Sequence, residues 1–478
     1  MNRRTFSKHA LLFAGAAHAQ NAPSETYEEP SRKLPVRRFD VVVAGGGTGG
    51  VVAALAAARQ GAKTALIESK GYPGGTVVEG GTALHSFYNL WKAFPGVQKR
   101  QIVRGIPQEM VERLIQAGGT TGHAEMALGY DYDSVCTAID TEIYKLVVFE
   151  MLQEAGVSIF VNTLLAGTIR PGGRLEGVIT ESRSGREAMM AKAFVDSTGY
   201  GDLAAHAGAK FTEPNDYEVC NSIGLANVSV EKLYDFLKSH DALAQYSRGM
   251  RDGRPDQLVR LLGKPVGLPP EFNADARKIG MSMATTTVHD NYFMFIKVNY
   301  KMPVSPTDRD AVAAAELILR QRQAKAVELF RKFVPGCEKA FIARTSPSLN
   351  IRRGRLIACD YDITRSDVLE GRHFDDDVFV YGFHDNAPRL QIKNGGSYGI
   401  PNRALRVAGA DNVLATGMMI TSNHDAHMST RNTVSCMGQG QAAGTAAALA
   451  AAKNCGTRDL RYGDLRAALE KAKVYFEG

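Results

Sequence analysis

The chain has 478 residues, 44% of them hydrophobic and 22% charged, with a formal net charge of +7. That composition fits an ordinary globular protein long enough for two or three domains. The positive excess is too small and too dispersed to argue for nucleic acid, and the one long apolar run, from Val41, is broken by glycines, so no membrane span is expected in the mature chain.

Residues 1–19 read as a twin-arginine signal peptide: Asn2-Arg3-Arg4-Thr5-Phe6-Ser7-Lys8, a short apolar stretch from Ala10 to Ala17, and an Ala17-His18-Ala19 cleavage site before Gln20. Cleavage removes Arg3, Arg4 and Lys8, which takes the formal charge from +7 to +4. The mature protein is expected in the periplasm or secreted. Residues 20–36 form a polar, proline-containing linker.

From Asp40 to Glu68 the sequence DVVVAGGGTGGVVAALAAARQGAKTALIE predicts a β-α-β unit. Gly45, Gly47 and Gly50 fall in the G-x-G-x-x-G pattern, where the first allows a tight turn, the second lets the backbone approach a pyrophosphate, and the third lets helix pack on strand. The start of the helix then faces the phosphates. Glu68, about 20 residues on, is placed to accept ribose hydroxyls. Export in a folded, cofactor-loaded state favours tightly held FAD over diffusible NAD. Gly74, Gly75 and Thr76, then Gly80 and Gly81, are two glycine pairs expected to pass close to the cofactor.

An amphipathic helix is predicted over 102–117, a loop with His123 follows, and a second helix over 140–155 ends at Gly156. Strand-like runs at 157–163, 175–182 and 191–197 predict a three-stranded meander and return strand extending the same sheet; Leu165, just past the first run, joins the expected cofactor contacts. The return strand leads into Asp196-Ser197-Thr198-Gly199-Tyr200-Gly201-Asp202, and a second strand ends at Thr416-Gly417. Thr198, Gly199, Asp202 and Gly417 therefore lie where an α/β sheet binds its ligand. Between them, an extended run at 292–300 and a helix opening on a Thr307-x-x-Asp310 capping box read as an inserted segment. The fold class is α/β: a Rossmann-like FAD-binding domain (37–214 and 392–478) and an inserted α+β substrate domain (215–391), with the substrate site at their junction.

The six cysteines are scattered with no C-x-x-C pair, so spacing gives neither a metal site nor an iron-sulfur site. His424, His427, Thr430 and Arg431 cluster ahead of a long small-residue helix whose dipole can stabilise negative charge. Gly438-x-Gly440 lies inside that helix with no strand ahead of it, so it is not a second nucleotide fingerprint, which argues against direct use of NAD(P)H. Arg352, Arg353 and Arg355 stand in one turn and can clamp an anion or form ion pairs. His384-Asp385 and Tyr398 with Arg403 are weaker candidates for acid, base or orienting roles.

The ordered set of fingerprint with Glu68, 196–204, Tyr398-Gly399-Ile400-Pro401, 426–431 and Gly438-Gln439-Gly440-Gln441-Ala442-Ala443-Gly444 resembles the FAD-dependent oxidoreductases named after the flavin subunit of heterodisulfide reductases, and more distantly fumarate reductase flavoproteins. The resemblance implies FAD lying extended, with pyrophosphate on 45–50, ribose on Glu68, and flavin near Gly75, Gly80 and the C-terminal helix start. Such relatives usually carry Arg-Glu-Ser-Arg-Arg where this chain has Arg352-Arg353-Gly354-Arg355-Leu356, so only Arg352 and Arg355 carry over; an arginine is usual at Met418, and the iron-sulfur ligands are missing.

The expected activity is oxidation of a small polar substrate by hydride transfer to flavin N5, with His427 or His424 taking a proton and Arg431, Arg355 or Arg352 orienting the substrate. The electron acceptor is left open. A flavin reductase fed by a periplasmic donor and a non-catalytic FAD-binding partner subunit are the competing readings.

Overall fold

The structure is a computed structural model describing residues 25–477 apart from 82, 130–132, 265 and 388. The expected signal peptide lies outside the described residues. Val41–Ala44 is fully buried, as an unbroken apolar run demands of a strand covered on both faces. It is the centre of a five-stranded parallel sheet in the order Val413–Ala415, Ala193–Asp196, Val41–Ala44, Thr64–Ile67, Ser158–Phe160. Ala44, Asp196 and Ala415 are in register, so the turns at Gly45, Ser197 and Thr416 leave the sheet side by side.

Two helices, Thr48–Arg59 and Thr433–Lys453, pack against each other almost backbone to backbone. A Cβ on Gly440 would lie 2.1 Å from the Gly49 carbonyl oxygen, and one on Gly444 the same distance from that of Ala53. This contact brings the last fifth of the chain onto the fingerprint.

The meander differs from the sequence expectation. The 157–163 run supplies the edge strand of the parallel sheet, whereas the meander is Leu164–Ile169, Gly177–Ser182 and Gly185–Met190, extended by Val36–Arg38 into a separate four-stranded sheet. No strand was expected between 163 and 175, yet strand pairing resumes at Leu164. The turn at Arg183-Ser184 closes on Gly185, at φ +103°, and separates the second run from the third strand.

A second core, drawn from Val219 to Ile351, surrounds a three-stranded antiparallel sheet in the order Tyr292–Tyr300, Val219–Ala226, Phe341–Thr345. The helix Arg309–Phe333 covers one face, with buried Gln323 donating to Asn221 Oδ1 at 2.7 Å. That helix is capped by Asp308, which accepts from the Ala311 amide at 2.7 Å, one residue later than the expected Thr307 box. A six-stranded sheet joins Leu84–His85, Ala124–Leu128 and Val135–Thr137 to strands from 243–286. Residues from Ile357 to Phe383 return to the first core. All six cysteines are free thiols. Among the described residues, no helix is long and apolar enough to cross a membrane.

Gly440→Ala should cost about 1–3 kcal/mol through overpacking against Gly49. Gly463→Ala, whose added methyl meets nothing within 4 Å, should be neutral or mildly stabilising. Thermal unfolding compares the two; equal midpoints would show that the helix contact tolerates a wider spacing.

Candidate active site

The nucleotide end is built from the fingerprint turn. Gly45 has φ +92°, and a Cβ there would sit 2.4 Å from the Ser197 carbonyl oxygen. At Gly50 it would sit 1.9 Å from the Gly45 carbonyl oxygen, so the third glycine is what lets the helix approach the strand. Gly47 is different: only the Ser197 carbonyl, at 3.5 Å, would touch a Cβ there, which leaves that face of the turn open. No side chain caps the helix that follows, so its start keeps the unfilled amides that bind a diphosphate.

Glu68, 8% exposed, ends the second strand beside this turn. Its Oε2 accepts from the Gly46 amide at 2.9 Å, and its Oε1 from the Lys70 amide at 2.8 Å and the Ser69 hydroxyl at 3.1 Å. Burial raises its pKa. The 71–76 segment is stitched to the same turn: the Gly74 amide donates to the Gly46 carbonyl at 2.7 Å, and a Cβ on Gly75 would lie 2.8 Å from the Gly47 Cα. Thr76 opens the short helix Thr76–Gly80, and Gly81, at φ +65°, lies under the Arg344 guanidinium.

The other strand ends converge here. Asp196 is fully buried and accepts from the Thr198 amide and hydroxyl (3.0 and 2.8 Å) and the Ala204 amide (2.8 Å); burial still pushes its pKa up to about 6. The Thr198 hydroxyl in turn accepts from the Asp202 amide at 2.9 Å, and Gly199 takes φ +77°. Gly417 has φ +101°, with no atom within 4 Å of a Cβ position. The neighbouring Thr416 hydroxyl is buried without a hydrogen-bond partner among the described residues, and a Cβ on Gly49 would lie 3.0 Å from it. Thr430 donates to the Thr421 hydroxyl at 3.0 Å. Leu165 lies apart on the meander strand, partly buried against the first core. An open glycine face, an uncapped helix start and an orphaned hydroxyl beside one acid suit an extended dinucleotide.

The predicted reactive residues do not form one group. His424–Thr430 is its own short helix, capped by Asn423, and a second helix starts at Thr433 with Asn432 as cap, so the cluster sits between two helix starts rather than ahead of one. His427 is fully buried. Its Nε2 lies 2.9 Å from the Met418 carbonyl, which can only accept, so Nε2 carries the proton and Nδ1 holds the lone pair. Nδ1 is buried with no hydrogen-bond partner among the described residues. Burial first, then Arg431 and Arg353, hold this imidazole well below its ordinary pKa. His424 is half exposed, with its ring 6.2 Å from that of Tyr217.

Arg431 pairs with Asp385 and donates to the Tyr217 hydroxyl at 3.3 Å. Its guanidinium lies 5.2 Å from the Tyr217 ring centroid, and that of Arg352 lies 5.7 Å away. Arg355 is engaged elsewhere: Nη1 meets Asp202 at 2.7 Å and Nε meets Glu213 at 3.4 Å, so two carboxylates already hold it. Arg353 is likewise taken by Asp216 at 2.8 Å. His384 bridges the Asp425 carbonyl and the Asn386 amide, Tyr398 bonds Ser429, and Arg403 pairs with Asp376, which are structural roles. Tyr217 and Lys297 were not expected. Lys297 is the only charge in the run Tyr292–Tyr300, a signal that was there to be read.

Residues 40–469 match the sequence profile of the FAD dependent oxidoreductase family. The chain belongs to that family. It is a FAD-dependent oxidoreductase, an enzyme whose cofactor is FAD. No curated protein matches the chain. Among solved structures it is similar to a geranylgeranyl bacteriochlorophyll reductase-like protein from Thermoplasma acidophilum, at 14% identity over 92% of this chain and 83% of that one with a TM-score of 0.49. A myxobacterial FAD-dependent chondrochloren halogenase matches at 12% identity over 91% and 78%, with a TM-score of 0.49. A flavoprotein/dehydrogenase from Cytophaga hutchinsonii matches at 11% over 91% and 82%, with a TM-score of 0.47.

Glu68→Gln keeps an acceptor for the Gly46 amide but removes the charge, and should weaken FAD binding about tenfold or more, as loss of a charge-assisted hydrogen bond implies. Titration of the apoprotein with FAD reads this directly; an unchanged Kd would place the ribose elsewhere.

Proposed function

We propose that the enzyme oxidises a small polar substrate, with the FAD diphosphate on Gly45–Gly50, the ribose on Glu68 and the flavin end between the 74–81 segment and Gly417. FAD, when bound, would supply the hydride acceptor, with an external oxidant taking up the electron pair. Arg431, fixed by Asp385, and Arg352 orient the substrate across Tyr217. The Nδ1 lone pair of His427 takes the proton that leaves the adjacent hydroxyl or amine, while Nε2–H stays on the Met418 carbonyl. Arg355 stays out of the reaction and ties the middle segment to the Asp202 turn.

The observation that carries this reading is the unpartnered Nδ1, buried beside Arg431. A buried lone pair with nothing to accept from is costly in a merely structural histidine. A depressed pKa keeps the imidazole in its base form at neutral pH. On the same reading the twin-arginine pattern directs the folded holoenzyme across a membrane, and periplasmic protein beginning at Gln20 is the expected product of the native gene.

His427→Ala should retain FAD, with its absorbance at about 450 nm, and lower anaerobic flavin reduction by roughly 10²–10⁴-fold. Reduction at the wild-type rate would remove His427 from the mechanism. If no hydroxy acid, sugar or amine bleaches the wild-type flavin, the oxidative direction is wrong.

A further inference from the structure

The three-stranded sheet of the middle segment carries a lysine on the face that meets the 79–81 segment. Lys297 pairs with Ser222 across the antiparallel strands, so the two side chains share one face. The Ser222 hydroxyl donates to the Gly80 carbonyl at 2.6 Å, while Ser346 and Arg344 bond the Glu79 carbonyl at 2.8 and 2.7 Å. That face therefore lies on the 79–81 segment, opposite the helix Arg309–Phe333. Lys297 is within electrostatic reach of Arg352, Arg431, Asp385 and Cys220, and its ammonium has no hydrogen-bond or ion-pair partner among the described residues.

The charges around it do not balance. Asp385 answers Arg431. The other nearby acids are committed: Asp216 to Arg353, Asp202 and Glu213 to Arg355, and Asp425 to Arg365 at 3.0 Å. Arg352 has no carboxylate partner among the described residues and lies over Tyr217. Three cations, Lys297, Arg352 and Arg431, thus share the single carboxylate of Asp385, an excess of positive charge that is unfavourable away from bulk water unless a ligand offsets it.

We propose that Lys297, Arg352 and Arg431 form the recognition site for a carboxylate of the substrate, so that the enzyme oxidises an organic acid rather than a neutral sugar or an amine. This rests on the oxidative reading above and names its substrate class. Planar guanidinium forks match a carboxylate, and the ammonium adds a point charge from the sheet. Lys297 is a recognition residue supplied by the middle segment.

Burial and the neighbouring Arg352 lower the Lys297 pKa to about 8, with Arg431 lowering it and Asp385 and Cys220 raising it. The ammonium is charged below that pH and lost above it, whereas both arginines stay charged, so carboxylate binding should weaken as pH rises through about 8.

The test uses the FAD-loaded enzyme and isothermal calorimetry with malonate, malonamide and inorganic phosphate at fixed ionic strength. Malonate should bind saturably and perturb the flavin spectrum, and malonamide should do neither. Lys297→Met and Arg352→Gln should each weaken malonate at least tenfold while holding wild-type FAD, and Lys297→Met should abolish the pH step that Lys297→Arg moves upward. No malonate binding to a chain that holds FAD, equal affinity in the variants, equal binding of malonamide, or binding of phosphate alone would each overturn the proposal. Anaerobic flavin reduction scores the oxidative reading separately: a chain that binds malonate but is reduced by no substrate fails that reading and keeps the anion site.

Discussion

The contact between the helices Thr48–Arg59 and Thr433–Lys453 is the constraint on which the site depends. Only glycine at 440 and 444 lets the second helix reach the backbone of Gly49 and Ala53. That approach seats the Val413–Ala415 strand beside Ala193–Asp196 and so lays the Thr416-Gly417 turn next to the fingerprint. The fingerprint turn belongs to the start of the chain and the Thr416-Gly417 turn to the last fifth.

Charge pairing then separates arginines of equal promise into different tasks. Arg355 meets Asp202 and Glu213 and so ties the middle segment to the turn after Ala193–Asp196, while Arg353 meets Asp216 and donates to the Ser422 carbonyl. Arg352 and Arg431 converge on one tyrosine ring, and only Arg431 has an acid of its own. Such pairing decides which cations are left to act on a ligand, because an unpaired charge interacts more strongly in a partly buried place than at an open surface. The imidazole of His427 lies at the edge of the same field and is kept neutral by its burial first and by Arg431 and Arg353 second.

Much of this was legible in the sequence. The fingerprint, Glu68, the two Thr-Gly turns and the helix capped at Asp140 follow from local rules of turn, cap and strand, and the structure has them where the pattern puts them. What was not legible depends on partners far away in the chain. Arg355 looks like Arg352 until Asp202, 153 residues away, is known to hold it. The meander strand Leu164–Ile169 alternates weakly and carries a glycine, so its identity comes from pairing with Gly177–Ser182. Lys297 sits in an alternating strand where a lysine ordinarily marks a solvated face; here that face is covered by the 79–81 segment. The cap at Asp308 displaced the expected Thr307 because an Asp side chain one residue later reaches the Ala311 amide.

The account stands on one claim: turns separated by nearly the whole chain form a single FAD site roofed by the Lys297 face. A crystal structure of the FAD-loaded enzyme with malonate measures this most directly. The account predicts the diphosphate against Gly47 with Glu68 on the ribose, and malonate held by Arg352 and Lys297 beside the flavin ring. A diphosphate bound away from the 45–50 turn, or a flavin ring that Lys297 and His427 both fail to approach, would contradict it.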